Sequence, residues 1–443
     1  MPTRPQQPPA AVPESAKQAG EVRARWAWTE AAVWTDRMLT ALETGVKGEK
    51  WFSLIDKVTN EANLFVASCQ VARNGGAPGV DRVTIDQFAK QQAKHLKRLH
   101  KTIRDGSYMP QEVRRTWIPK PGSKEKRPLG IPTVRDRVVQ TALRNVLEPI
   151  FEKDFAEHSY GFRPNRSCKD ALRVVDQLMK SGYVHVVDAD LKSYFDTIPH
   201  DQLVDRLREK VSDGRVLALI EKFLKQKVMD GLATWTPEEG SPQGAVISPL
   251  LSNIYLDPLD HRMAEHGFKM IRYADDFVIL CRSREEAEAA LATVQTWTAA
   301  AGLTLHPEKT VIVDARETGF DFLGYHFCGE YRWPRKKSLR KLQDTIRAKT
   351  RRANGHSVEY IIADVNRTLR GWFEYFKHSH RRTFRTLDSW IRMRLRSILR
   401  KRHQGKGRGR GHDHLRWPNR FFAERGLFSL LNAYDSACQS STR

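Results

Sequence analysis

A mixed α+β body followed by an all-helical domain is the fold class the sequence predicts, on three observations. Up to about residue 330, stretches of helical period alternate with short hairpin-forming strands, and no βαβ repeat links them. From residue 338 the pattern is helical, over 339–353, 357–378 and 383–403. Charge divides the chain at nearly the same point. Residues 1–330 hold 46 Lys/Arg against 44 Asp/Glu, whereas residues 331–430 hold 28 against 7. That final quarter also carries 13 of the 41 aromatic residues. Positive charge interleaved with rings suits a polyanion whose bases can stack, so nucleic acid is the expected partner and a solvated basic face the alternative.

The elements follow in order. The opening MPTRPQQPPAAVPESAKQAG is rich in Pro, Gln and Ala and lacks an apolar signal core, so it reads as a disordered lead-in. Residues 29–44 read as a short helix closed by Gly45, and 51–72 as a second helix. NGGAPGVD at 74–81 is a loop by its glycines and proline. A helix over 84–104 shows Leu96, Leu99 and Ile103 on one face. VRRTWIPKPGSKEKRPLGIP at 113–132 reads as two strands around a basic, flexible loop. Helices over 134–155 and 167–180 precede the strand-like YVHVVDADL at 183–191, and 200–228 is mostly helical. The turn GSPQG at 240–244 leads to a helix over 247–265, a hairpin, and a helix over 284–301. Short strands near 309–314 and 320–327 close the body. GKGRGRGH at 405–412 reads as a link to a short aromatic tail. The domain reading is a partly disordered lead-in at 1–50, a body at 51–330, a helical domain at 331–404, and a basic linker with a short nucleic-acid-binding tail at 405–443.

At 443 residues and 40% hydrophobic content the chain can bury more than one small core. Cys69, Cys168, Cys281, Cys328 and Cys438 are scattered without CxxC spacing, which argues against a zinc site or a disulfide framework and fits a reducing cytoplasm. No stretch approaches the ~20 apolar residues of a membrane span.

The chemistry concentrates in IRYADDFVILC at 271–281. Tyr273, Phe277, Val278, Ile279 and Leu280 have strand character, so Asp275 and Asp276 fall at a tight turn between apolar strands. Paired carboxylates repel each other there, and a divalent cation relieves the repulsion; a polar hairpin tip is the bland alternative. A further carboxylate is available at 183–200, where strand alternation puts Asp188 and Asp190 on one face and Val187 and Leu191 on the other.

Taken together, these blocks resemble the reverse transcriptases encoded by group II introns, and the resemblance spans most of the chain. RPLGIPTVRDRVVQ at 127–140, HSYGFRPNRS at 158–167 and DADLKSYFDTIPH at 188–200 match in order. GSPQGAVISPLLSNIYLDPLD at 240–260, YADD at 273–276, GLTLHPEKT at 302–310 and FDFLGYHF at 320–327 continue it. LRGWFEYFKHSHRRTFRTLDSWIRMRLRSILRKR at 369–402 resembles the family's maturase, or thumb, region. The resemblance implies a right-hand polymerase, with fingers and palm built from an antiparallel sheet plus helices, ahead of an α-helical thumb/maturase domain.

It implies site residues as well. Asp190, Asp275 and Asp276 are the implied catalytic, metal-binding carboxylates for two Mg²⁺ ions, with Mn²⁺ as substitute. Phe195 corresponds to a ring under the nucleotide sugar that selects deoxynucleotides by shape, or else is a core Phe. Gln243 resembles the residue packed on the incoming nucleotide, and its flanking glycines let the backbone approach closely; a plain turn is the alternative. Lys120 and Arg127 suit the triphosphate, and Lys309 resembles a lysine near the departing pyrophosphate or is a surface lysine. Arg163 belongs to the framework touching the template, or to a structural ion pair. Arg370, Arg381, Arg382, Arg385, Arg392, Arg394 and Arg396 occupy helical stretches with Trp372, Phe376, Phe384 and Trp390; Leu387, Ile391, Leu395 and Ile398 form the core-facing stripe, and arginines between such positions would meet nucleic acid backbone.

The implied activity is RNA-directed DNA polymerisation by a protein that binds its group II intron RNA and assists splicing and mobility. The implied partners are that RNA, an RNA template with a DNA or RNA primer, target DNA and dNTPs, in a cytoplasmic, bacterial ribonucleoprotein with no membrane. The paired-cysteine nuclease many members carry at the C-terminus is not expected here. A domesticated role in DNA repair or spacer capture, and a splicing-only RNA-binding role, are the alternatives.

Overall fold

The computed structural model describes residues 14–46, 48–119, 126–409 and 411–441. Its N-terminal part is helical: α1 (Glu14–Arg25), α2 (Asp36–Thr44), α3 (Ile55–Val58), α4 (Glu61–Asn74), α5 (Ile85–Lys90) and α6 (Gln92–Arg104). Helix α1 begins within the stretch expected as lead-in. Trp26, Val33 and Trp34 are buried, and the Trp34 indole N–H donates to Asn145 O at 2.9 Å. Arg23 closes α1 onto α2 by donating to Asp36 (2.8 Å) and to Trp34 O (2.7 Å). The helices expected over 51–72 and 84–104 are each broken, the first before α4 by a cap and the second at Gln91, whose backbone leaves the helical region (φ −124°, ψ 26°). Asn60 accepts from the Ala62 and Asn63 amides to start α4, and Thr84 forms a reciprocal box with Gln87 at α5.

A four-stranded sheet follows, with β1 (Val113–Pro119) between β2 (Lys126–Ile131) and β4 (Val228–Asp230), and β5 (Ala233–Trp235) beyond β4. Its expected hairpin joins β1 to β2. The short strands β3 (His185–Asp190), β4 and β5 come later in the chain, and β4 adds to β1 in parallel. Between them lie α7 (Val134–Glu152), α8 (Cys168–Lys180), α9 (Tyr194–Thr197), α10 (His200–Lys210) and α11 (Gly214–Leu224). The helix expected over 200–228 is cut at Asp213, whose carboxylate accepts from the Arg215 and Val216 amides.

The palm is an antiparallel sheet of β6 (Lys269–Tyr273), β7 (Asp276–Cys281), β3 and β8 (Val311–Asp314), in the order β6-β7-β3-β8. Helices α12 (Ser248–Glu265) and α13 (Arg284–Ala300) pack on one face, burying Val187, Ala189, Phe277 and Ile279. A third sheet of β9 (Phe320–Phe322), β10 (Tyr325–Cys328) and β11 (Tyr331–Pro334) covers the other face, over Val186, Ile271, Val278 and Leu280. Apolar burial on both faces explains why these strands read as continuous hydrophobic runs rather than alternating ones.

The helical domain comprises α14 (Lys336–Lys349), α15 (Val358–Phe376) and α16 (Arg381–Arg402) around Leu369, Phe384, Leu387, Ile391 and Leu395. The tail is part of it. Helices α17 (Asp413–Arg416), α18 (Asn419–Glu424) and α19 (Leu430–Ser441) fold back on α16, and Trp417, Phe422 and Leu430 enter the same core. Asp388 fastens the return by accepting from Ser429 Oγ (2.8 Å) and from the Leu430 (3.0 Å) and Leu431 (3.2 Å) amides. Among the described residues, no helix is long and apolar enough to cross a membrane.

Candidate active site

Antiparallel pairing of β3 with β7 sets Asp190 directly opposite Asp276. Asp275 sits on the two-residue turn between β6 and β7, beside Ala274, whose φ of 61° is left-handed. The turn is clamped from behind. A Cβ at position 161 would collide with the Ala274 backbone nitrogen, so only glycine fits there. Asn253 Nδ2 holds Gly161 O at 2.8 Å. Fully buried Arg272 donates to Asp260 (2.8 and 2.9 Å), to Asn253 Oδ1 (3.0 Å) and to Ala274 O (2.9 Å). A buried, fully bonded ion pair thus fixes the hairpin tip.

The carboxylates crowd one another. Asp276 opens to solvent at the mouth, yet its carboxyl is pushed up to about 7, by desolvation first and then by Asp188, Asp275 and Asp190. Asp188 rises to about 6 through desolvation, Asp321 and Asp190. Desolvation and Asp190 raise Asp275 as well, opposed by Arg127 and Arg272. Lys309 Nζ lies 2.5 Å from Asp190 Oδ2. The loop that brings it is laid along β3, with the Lys192 amide on Thr304 O (2.8 Å) and the His306 amide on Asp190 O (2.7 Å). Among the described residues, no three His, Cys, Asp or Glu side chains are gathered tightly enough to hold a metal as they stand. The donor set is nevertheless suited to one. Hard carboxylate oxygens that resist ionising together gain most from a divalent cation.

Phe195 and Gln243 line one cleft of about 430 Å³, together with Arg115, Gly130, Asp196 and Trp235. The GSPQG turn is stitched to both sides of it. The Ser241 amide donates to Phe195 O (2.7 Å), the Gly240 amide to Ile198 O (2.8 Å), and the Gly130 amide on β2 to Gln243 O (2.7 Å). Gly244 has a φ of 104°, and a Cβ there would lie 2.5 Å from Gly130 O. The Gln243 side chain reaches Asp196 at 3.5 Å. Phe195 is half-buried, edge-on to Tyr194 at 5.5 Å. Arg127 is exposed on β2, and its charge acts on Asp275. Lys120 lies outside the described residues.

Sequence reading missed Arg115, whose guanidinium lies over the rings of Trp117 (5.7 Å) and Trp235 (4.6 Å). The i, i+2 alternation of β1 already put Arg115 and Trp117 on one face, but the short β5 that brings Trp235 gave no periodic signal. It also passed over Arg335, whose charge acts on Asp276.

Two of the expected nucleic-acid contacts are corrected. Arg163 is buried, spending its guanidinium on Glu152 (2.8 Å) and Ser159 O (2.9 Å), so it is the structural ion pair. Arg396 is 2% exposed and donates to Trp417 O and Asn419 Oδ1, both at 2.8 Å, because the tail has folded over it. Arg381 is exposed but paired with Asp435 at 2.8 Å. Arg370 lies over Phe428 at 5.4 Å, and Arg394 donates to the carbonyls that end α14. Arg382 and Arg385 are exposed and line a wide cleft of about 920 Å³, while Arg392 is half-buried.

Comparison with known proteins matches residues 118–327 to the family "Reverse transcriptase (RNA-dependent DNA polymerase)". Residues 339–417 match "Group II intron, maturase-specific domain". Protein YkfC of Escherichia coli (strain K12) is 33% identical over 347 residues, covering 68% of this chain and 85% of YkfC. Group II intron-encoded protein LtrA of Lactococcus lactis subsp. cremoris is 40% identical over 210 residues, covering 47% of this chain and 34% of LtrA. The chain thus spans about a third of LtrA's length. A chain of a partial Cas6-RT-Cas1–Cas2 complex aligns at 26% identity over 56% of this chain and 41% of that one, with a TM-score of 0.36, too loose a likeness to carry weight.

Proposed function

From the premise that this chain belongs to the reverse transcriptase–maturase family of group II intron-encoded proteins, we propose how it copies RNA into DNA. The chain is an RNA-directed DNA polymerase, a divalent-metal-dependent class that acts on nucleic acids. In our reading Asp190, Asp275 and Asp276 hold two Mg²⁺ ions, or Mn²⁺ in their place. Such a pair, when bound, activates the primer 3′-hydroxyl and stabilises the leaving pyrophosphate. Lys309 neutralises Asp190 between turnovers and offers a cation to the departing pyrophosphate. Arg127 grips the triphosphate as a fork, and Lys120 as a point charge. Phe195 presents its ring where a ribose 2′-hydroxyl would sit, and the stitched backbone around Gln243 sets the sugar and base against it.

The same reading assigns group II intron RNA to the arginine-bearing faces of the helical domain. RNA template with a DNA or RNA primer, target DNA and dNTPs meet at the palm, and the setting is a cytoplasmic ribonucleoprotein. It takes the body at 51–330 as fingers and palm and 331–404 as thumb, with the residues beyond 404 packed on the thumb. The opposition of Asp190 to Asp276, with Asp275 on the adjoining turn, is the observation that carries it. Asp190→Ala or Asp275→Ala is expected to abolish cDNA synthesis on an annealed RNA template while RNA binding persists. Full synthesis by either variant would overturn the assignment. Sequencing the RNA that co-purifies with the chain separates an intron partner from a domesticated role.

A further inference from the structure

A second pocket, far along the chain from the palm residues, gathers positive charge that the fold does not neutralise. It holds about 170 Å³ between the end of α14, the middle of α16 and the segment after α16. Arg347, Arg352, Arg394 and Arg408 all line it, Trp390 forms part of the wall, and no Asp or Glu does. Arg347's carboxylate partner is Asp344 on its own helix (2.6 Å), an exposed pair of the weak kind. Arg394 gives Nη2 to Thr350 O (2.8 Å) and Nε to Thr350 Oγ1 (2.9 Å), which compensates the negative end of α14. Arg347 and Arg394 both lie over the Trp390 ring, at 5.7 and 5.9 Å. Burial, followed by repulsion from Arg347, Arg352 and Arg408, pulls the Arg394 guanidinium down.

The segment after α16 is built to complete this pocket. Gly405 donates its amide to Arg400 O (2.8 Å), and Gly409 donates to Ser397 Oγ (3.0 Å). A Cβ at Gly409 would lie 2.5 Å from Arg396 Cβ, so the glycine is what lets the strand of chain lie against α16. Arg408, one residue earlier, is thereby delivered into the pocket. A free linker would need none of these bonds.

Guanidinium forks crowded without a carboxylate match the oxygens of a phosphate. The pocket is smaller than the ~300 Å³ at which sites for drug-sized ligands begin, so it suits one phosphate group rather than a whole nucleotide. Trp390 and Met393 are shared with the wider cleft that Arg382 and Arg385 line, so the pocket continues along the exposed ridge of α16. From Arg382 to Arg394 that ridge rises roughly 18 Å, room for several backbone phosphates.

We propose that this pocket seats one backbone phosphate of a nucleic-acid strand running along α16, with Arg352 and Arg408 as its free contacts. The proposal rests on reading the helical domain as RNA-binding. It is tested on the full chain with a labelled RNA hairpin, without dNTPs or divalent metal, so that the result is independent of polymerisation. Affinity is followed from 50 to 200 mM KCl. The double variant Arg352→Gln/Arg408→Gln is expected to bind about tenfold more weakly, with a salt slope shallower by about 1, and Arg352→Lys/Arg408→Lys to regain the slope. An unchanged affinity and slope in a double variant that melts like the parent would overturn the proposal. So would a melting shift with inorganic phosphate that only the parent shows while RNA binding is the same in both, since the ligand would then be a free anion. Arg408→Gln alone, on the exposed segment, gives the same readout should the double variant fold poorly.

Discussion

Single atoms decide the chemistry at the hairpin tip. Gly161 tolerates no side chain, so Gly161→Ala must push the Ala274–Asp275 turn away from Asp190. Displacements of about 1 Å in a catalytic constellation cost roughly 10²-fold, and cDNA synthesis by this variant should fall by that order while RNA binding holds. Parent-like synthesis would show that the turn has freedom the packing denies it. Phe195→Ala should admit ribonucleotides, read as the ratio of rNTP to dNTP incorporation on one template; an unaltered ratio removes its gate role. At this scale the sequence was uneven. The apolar strands around Asp275 and Asp276 stood out, and so did the alternation that turns Asp190 toward them. Arg163 and Arg396 looked no different from Arg382 or Arg385, because what buries them, Glu152 in one case and the Trp417 turn in the other, lies elsewhere in the sequence.

Several helices begin where a side chain satisfies a backbone amide, and this explains which boundaries were hidden. Strands β3, β6 and β7 were plain because each buries both faces. The breaks at Asn60 and Asp213 were hidden, since helical periodicity runs through them and only one cap marks each. Strands β4 and β5 have three residues apiece, too few for any period. The Asp388 cap on α19 offers a test of how much one such residue is worth. Asp388→Ala removes acceptors from two amides and one hydroxyl, and should cost about 1 to 2 kcal/mol. Hydrogen exchange should accelerate across Leu430–Ser441 before it does in α16. Uniform exchange in parent and variant would show that α19 is held by its apolar face alone.

For the molecule as a whole, the tail changes where the helical domain ends. Trp417, Phe422 and Leu430 bury fully or nearly so in the core around α16, and losing Trp417 or Phe422 from it costs roughly 3–5 kcal/mol. Truncation after residue 404 should therefore lower the melting temperature and expose α16 to protease; a truncated chain as stable as the parent would make the tail dispensable. The general architecture was legible from the change in periodicity and charge near residue 330, but the returning tail was not, because its glycine- and arginine-rich approach looks like an unstructured tether. Tyr325 on β10 donates its hydroxyl to Tyr375 O (2.6 Å), Tyr375 donates back to Leu323 O (2.7 Å), and Phe376 seats among the rings behind the palm strands. The C-terminal end of α15 is thus riveted to the β9–β11 sheet, which in turn packs on the strands that bear Asp190 and Asp276. A tilt of the helical domain would therefore reach the strands that bear Asp190 and Asp276 through the intervening β9–β11 sheet, and not through a free hinge.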